Sequence, residues 1–190
     1  MLIVQPNDSG IQKAVIALNN NEIVAYPTET VYGLAVNPFS EEAVEKLFQL
    51  KGREENKPIL LVIGNLKQLD EVVISVSEKA KICIENFWPG PLSLVLPSIS
   101  NLPNKLTAGK GKICVRWTSH PVAQKLALEF GHAITSTSAN RSGESPARNI
   151  SELPSDNISI AIEDISTSSS EVSTVSVSYT HLTLPTIYSV

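Results

Sequence analysis

Five consecutive apolar residues, Ile59-Leu60-Leu61-Val62-Ile63, stand between Pro58 and Gly64, and this block limits the fold more than any other stretch of the chain. A strand with one wet face alternates polar and apolar residues. An unbroken apolar run reads instead as a strand covered on both faces, as in a sheet with helices packed above and below. The flanking segments agree. Short strands are expected at Met1 to Val4, Ile23 to Tyr26, Leu92 to Leu96, Ile113 to Arg116, Ala133 to Ser136 and Ile158 to Ile162. Between them lie helical patterns: one from Ser9 with Ile11, Ala14, Val15 and Leu18, and one behind Ser40 with Ala43, Val44, Leu47, Phe48 and Leu50. A third begins at Ser77 with Ala80, Ile84 and Phe87 on one face, and a fourth opens at Pro121, a residue suited to the first helical position. Alternating strands and helices predict a single α/β domain with a twisted, mixed sheet.

Length and charge narrow the function classes. With 190 residues, 42% hydrophobic, the chain suffices for one well-packed domain. It holds no apolar run long enough to span a bilayer and no basic, apolar leader, so a cytoplasmic location is the expectation, with no membrane partner. The net charge of −4 disfavours an electrostatic nucleic-acid binder but leaves room for a local basic pocket that takes a small anion. Cys83 and Cys114 read as small core hydrophobes, and no His/Cys spacing suggests a zinc site.

Three polar clusters exceed what a stable fold needs. Lys51-Gly52-Arg53, followed by Lys57, crowds cations after a helical pattern. A cation at a helix C-terminus is favoured by the macrodipole, which accounts for one of them. Close like charges repel by roughly 1 kcal/mol per pair in water, so an anion among them is the simpler reading, although Glu54 and Glu55 are an internal alternative. Ser136-Thr137-Ser138-Ala139-Asn140, extended by Ser142-Gly143, gathers hydroxyls and an amide at a strand end, where ligand loops of α/β sheets lie. Pro27-Thr28-Glu29-Thr30-Val31-Tyr32-Gly33-Leu34 follows another strand in the same way. Arg116 closes an apolar strand, and its guanidinium must find either one of the chain's own acids or a substrate carboxylate. His120 reads first as a residue leading into a helix, and Phe87 to Leu92 as a stiff turn. Neither a P-loop nor a dinucleotide-binding glycine pattern is present, so a bound nucleotide would be held by side chains and short loops.

Taken together and in this order, Pro27 to Leu34, Lys51-x-Arg53 with Lys57-Pro58, Phe87 to Leu92, Val115-Arg116 with His120-Pro121, and Ser136-x-Ser138-Ala139-Asn140-x-Ser142-Gly143 resemble the YrdC-like family of threonylcarbamoyl-AMP synthases. The resemblance spans about residues 5 to 175. It implies a YrdC-like domain over 1–175 with flanking helices around a basic central cavity. The implied enzyme is a nucleotidyltransferase joining L-threonine, bicarbonate and ATP into threonylcarbamoyl-adenylate with release of pyrophosphate, Mg²⁺ accompanying the ATP. A tRNA threonylcarbamoyl-transferase complex would then modify adenosine 37 of tRNAs reading codons that begin with A. The resemblance makes Lys51, Arg53, Ser138 and Asn140 a central catalytic tetrad. It gives Arg53, Lys57, Ser138 and Ser145 to ATP, and Thr30, Arg116, Ser136 and Ser173 to threonine.

The chain departs from the family at several points. Thr118 stands where Pro is usual, Ser93 where Thr is usual, and Glu163-Asp164 lacks the common glycines. Residues 176–190 lack the family's Arg-x-Gly segment, and Tyr179 to Thr186 resembles foreign sequence, which predicts weakened nucleotide affinity. Two other readings compete: a non-catalytic RNA-binding module of the same fold, and a carbamoyl-adenylate-handling domain like that of hydrogenase-maturation proteins.

Overall fold

A computed structural model describes residues 1–52, 58–154 and 156–164, together with the backbone of 174–177. In chain order the elements are β1 (Leu2–Val4), α1 (Asp8–Asn19), β2 (Ile23–Pro27), β3 (Tyr32–Ala35), α2 (Glu41–Lys51), β4 (Leu60–Ile63), α3 (Lys67–Asp70), α4 (Glu78–Phe87), β5 (Leu92–Pro97), α5 (Asn104–Thr107), β6 (Lys112–Trp117), α6 (Pro121–Phe130), β7 (Ile134–Ser138), β8 (Ile158–Ile162) and β9 (Thr174–Val177). Among the described residues nine strands form one sheet in the order β1-β8-β2-β3-β7-β4-β6-β5-β9. It is mixed: β1 and β2 flank β8 in parallel and β4 lies parallel to β6, whereas β7 runs antiparallel to both β3 and β4. The expected α/β class and mixed sheet are therefore what the chain adopts.

The apolar block behaves as its composition demands. Leu61 and Ile63 of β4 enter one core with α2, α4 and α5, while Val62 enters a second core with α1 and α6 on the other face. Residues paired across strands share a face, so this alternation extends along the sheet. The first core takes Leu94, Leu96, Ile113 and Val115 from β5 and β6. The second core, among the described residues, takes nothing from β5 or β6. On that face β5 and β6 carry Ser93, Val95, Lys112, Cys114 and Arg116, and Val95, Lys112 and Cys114 are only half-buried. The sheet is thus roofed at β8, β2 and β4 and partly open beyond them.

Local signals set the helix ends. Ser40 and Ser77 accept hydrogen bonds from the amides of Ala43 and Ala80, both at 3.2 Å, and Pro121 opens α6. At α1 the cap is Asn7, whose Oδ1 accepts from Gly10 N at 3.0 Å, two residues earlier than Ser9 would have placed it. Phe87, expected on the buried face of α4, is instead 59% exposed; Trp88 is buried in its place, its indole N–H donating to Leu92 O at 2.7 Å. Cys83 and Cys114 are half-buried and not full members of the core. Strand β3 was not expected. A Cβ at its Gly33 would stand 3.2 Å from the Tyr26 ring, and the β2–β3 hairpin turns the Thr28–Thr30 loop back toward β7.

Gly64 joins β4 to the outer layer. Its amide donates to Gln68 Oε1 at 2.7 Å, and the buried Gln68 amide donates onward to Ala127 O in α6 at 2.8 Å. A Cβ on Gly64 would stand 2.6 Å from Leu128 Cγ and 2.9 Å from Gln124 O. Gly64→Ala should therefore force α6 away from the sheet and destabilise the domain by about 1–3 kcal/mol, read as a lowered urea midpoint with unchanged slope.

Candidate functional site

Lys51 ends α2, and Gly52 follows it in the left-handed conformation (φ 56°, ψ 36°) that closes a helix without a side-chain penalty. The Lys51 side chain is buried, at 3% exposure. Its ammonium donates to Ser138 O at 2.5 Å, Asn140 O at 3.0 Å and Asn140 Oδ1 at 3.3 Å, while its own carbonyl accepts from Ser142 N at 2.7 Å. The Asn140 amide donates in turn to Arg141 O at 2.9 Å and Glu144 O at 2.7 Å. Three acceptors match the three protons of an ammonium group, and a buried cation without such partners would be strongly disfavoured. Lys51 and Asn140 thereby shape the loop that leaves β7, and Ser138 and Ser142 are held by it through their backbones.

On the partly open face, register sets the remaining geometry. Ser136, Leu60 and Cys114 form one row across β7, β4 and β6, and Ile134, Val62 and Arg116 form the next. Ser138 lies two residues further along β7 in the opposite direction, paired with Gly33. Arg116 is therefore roughly 10 Å across and 7 Å along the sheet from Ser136, and farther from Ser138. Carboxylate recognition at Arg116 and phosphate recognition near Ser138 would be separated along one diagonal of the same face. The Ser136 hydroxyl is hydrogen-bonded to that of Tyr26, which also donates to Thr135 O at 3.2 Å; burial pushes the Tyr26 pKa well up, so it stays a neutral donor.

Arg116 is clamped. Its Nε donates to Ser93 Oγ at 2.9 Å, and its Nη1 lies 4.0 Å from Glu29 Oε2. Glu29 Oε1 accepts from Thr118 Oγ1 at 2.6 Å, Ser119 N at 3.0 Å and His120 N at 3.3 Å. Burial alone would raise the Glu29 pKa. The hydrogen bonds from Thr118, its own backbone amide and Ser119, with the Arg116 charge, more than offset this and hold it below 4.5. Burial lowers the Arg116 pKa, opposed by Glu29. His120 is also lowered, by burial first, against the charges of Asp164 and Glu29, so its imidazole is neutral. Both of its ring nitrogens are buried, with no hydrogen-bond partner among the described residues.

The structure thus gathers Lys51, Ser138 and Asn140 at one end of β7, and Arg116 and Ser136 along one open face. Thr30 lies half-buried in the β2–β3 loop beside Glu29, its amide donating to Thr28 Oγ1 at 3.3 Å. Ser145 is exposed on the loop after β7. Arg53, Lys57 and Ser173, and the stretch 178–190, lie outside the described residues. A cavity of about 760 Å³ lies elsewhere, lined by Leu2, Glu22, Lys46 and Asn157 at the other end of the sheet. Its one lysine, Lys46, is paired with Glu42, so it offers an anion little, and the polar convergence on the open face is the better site. Glu29, Ser93 and Thr118, which surround Arg116, were not singled out from the sequence. The signal available was a carboxylate inside the Pro27–Leu34 cluster opposite an arginine that needed a partner.

The chain matches the Sua5/YciO/YrdC family, described as telomere recombination, over residues 16–182. It is 41% identical over 139 residues to a threonylcarbamoyl-AMP synthase of Bacillus subtilis, covering 73% of this chain and 40% of that protein. It is 38% identical over 143 residues to one of Halorhodospira halophila, covering 75% of each. Among solved structures, P. abyssi Sua5 complexed with L-threonine superposes with a TM-score of 0.84 at 32% identity, over 93% of this chain and 53% of that one. E. coli YciO gives 0.78 at 21% identity, over 93% and 88%, a likeness of fold.

Two outcomes follow from this geometry. Lys51→Met should cost about 1–3 kcal/mol by stranding buried carbonyls, with amide exchange accelerated first at 138–144. Because Glu29 titrates below its ordinary value when folded, its contribution is present above about pH 4.5 and is lost as pH falls through the lowered folded pKa. Glu29→Gln should therefore flatten the acid limb of the stability–pH curve below that pH while leaving the neutral region's slope unchanged.

Proposed function

The chain belongs to the Sua5/YciO/YrdC family, and on that premise we propose that it is a nucleotidyltransferase that forms threonylcarbamoyl-AMP from L-threonine, bicarbonate and ATP. The observation that carries this reading is the single face on which a clamped Arg116, the Ser136 hydroxyl and the loop locked by Lys51 lie along one diagonal. That arrangement suits a substrate with a carboxylate at one end and a phosphate chain at the other.

In this reading Arg116 takes the threonine carboxylate, with Thr30, Ser136 and Ser173 completing the subsite. Ser138, Arg53, Lys57 and Ser145 meet the nucleotide. The threonine nitrogen bonds to the carbon of bicarbonate, water leaves, and one proton is released. A carbamate oxygen then attacks the α-phosphorus, and the bond from that phosphorus to the pyrophosphate oxygen breaks. No covalent enzyme nucleophile is needed; the protein supplies positioning and fixed positive charge against the developing negative charge. Lys51 contributes through the loop it holds, because its ammonium already serves Ser138 and Asn140. No residue is assigned as general base. Among the described residues no three His, Cys, Asp or Glu side chains form a cage for a metal. Mg²⁺ would accompany the ATP phosphates and would neutralise their charge. The product serves a tRNA threonylcarbamoyl-transferase complex acting on adenosine 37, in the cytoplasm.

Incubation with labelled bicarbonate, L-threonine and ATP should release pyrophosphate only when threonine is present. Carbamoyl phosphate should not replace bicarbonate with threonine, which separates this reading from a carbamoyl-adenylate domain; threonine-independent RNA binding without pyrophosphate release would overturn it. Arg116→Ala should raise the KM for threonine by roughly 10–100-fold, the range expected for loss of a charge-assisted carboxylate contact.

A further inference from the structure

Arg116 accounts for only half of an amino acid. A zwitterion carries an ammonium group a few ångströms from its carboxylate, and a buried site that binds one end must also satisfy the other. Beside Arg116 the structure holds a carboxylate on which the hydrogen bonds from the 118–120 segment converge at one oxygen. Thr118, Ser119 and His120 all donate to Glu29 Oε1, which leaves Oε2 directed toward Arg116 Nη1 at 4.0 Å. That gap is well beyond the roughly 2.7–2.9 Å of a direct charge-assisted hydrogen bond. The Glu29 side chain is only 14% exposed. A second observation points the same way: His120, 7% exposed, joins this cluster through its backbone amide, and both nitrogens of its imidazole are without a partner among the described residues. Unpartnered imidazole nitrogens beside a carboxylate oxygen that no Arg116 N–H reaches are what a ligand with several N–H donors would complete.

We propose that Glu29 is a specificity-determining residue, reading the substrate ammonium through Oε2 while Arg116 reads the carboxylate, with the His120 ring adjoining. The site thereby selects an amino acid over the hydroxy acid of the same shape. Thr118 is part of this device in the present chain. Its hydroxyl donates to Glu29 Oε1 and accepts from His120 N at 3.1 Å, neither of which a proline there could do. The proposal rests on the reading of threonine as substrate and deepens it.

Calorimetry with L-threonine and with 2,3-dihydroxybutyrate, in which a hydroxyl replaces the amine, tests it without turnover. Glu29→Gln keeps an oxygen for Thr118 and the loop amides but removes the charge. It should weaken threonine binding roughly tenfold or more and leave the hydroxy acid unchanged, erasing the preference, whereas Glu29→Asp should keep most of it. Equal loss of both ligands in a folded Glu29→Gln protein would assign Glu29 a purely structural role and overturn the proposal, as would threonine binding at the native affinity. A wild-type protein that binds another amino acid but not threonine, with the same loss in the variant, would keep this inference and remove the threonine reading. Binding of no amino acid at all would remove both.

Discussion

One buried ammonium group organises the site. Lys51 is carried to the end of β7 by α2, whose apolar stripe fastens it to the sheet, and there it meets the carbonyls of Ser138 and Asn140. Hydrogen bonds to a charge in a low-dielectric interior are strong and expensive to break. The loop that leaves β7 is therefore tied to a rigid helix end instead of resting on its own turn propensities. Asn140 extends the same logic, spending its whole amide on Lys51, Arg141 and Glu144.

The second constraint is the uneven roofing of the sheet. Helices α1 and α6 cover β8, β2 and β4, and their core stops short of β5 and β6. On that face of those strands Val95, Lys112 and Cys114 are half-buried, and Ser93 and Arg116 are buried beside them. Ser93, Arg116, Glu29 and Thr118 form a chain of contacts across three elements, so that the guanidinium is aimed before any ligand arrives. Such preorganisation is how a site with no covalent nucleophile accelerates a reaction.

The strand and helix sequence was legible because it rests on local signals: the apolar block at 59–63, Ser40, Ser77 and Pro121 at helix starts, and periodic stripes between them. Misplacements have physical reasons. Asn7 outcompeted Ser9 because it takes up the extended conformation from which a side chain reaches Gly10 N. Phe87 lies outside the core because Trp88 fills that position. Strand β3 is short, and its Tyr32-Gly33-Leu34-Ala35 lacks the alternation that marks a strand in isolation.

The sequence alone settled which residue types were available: cations after α2, hydroxyls and an amide after β7, a carboxylate after β2, and an arginine ending β6. Tertiary structure alone decided their pairing, because hydrogen bonds between positions as distant as Lys51 and Asn140, or Glu29 and Thr118, depend on strand order and register that no local pattern encodes. It also decided that both cations are buried, Lys51 against the carbonyls of the loop after β7 and Arg116 against Ser93 and Glu29, because packing and register bring those partners to them.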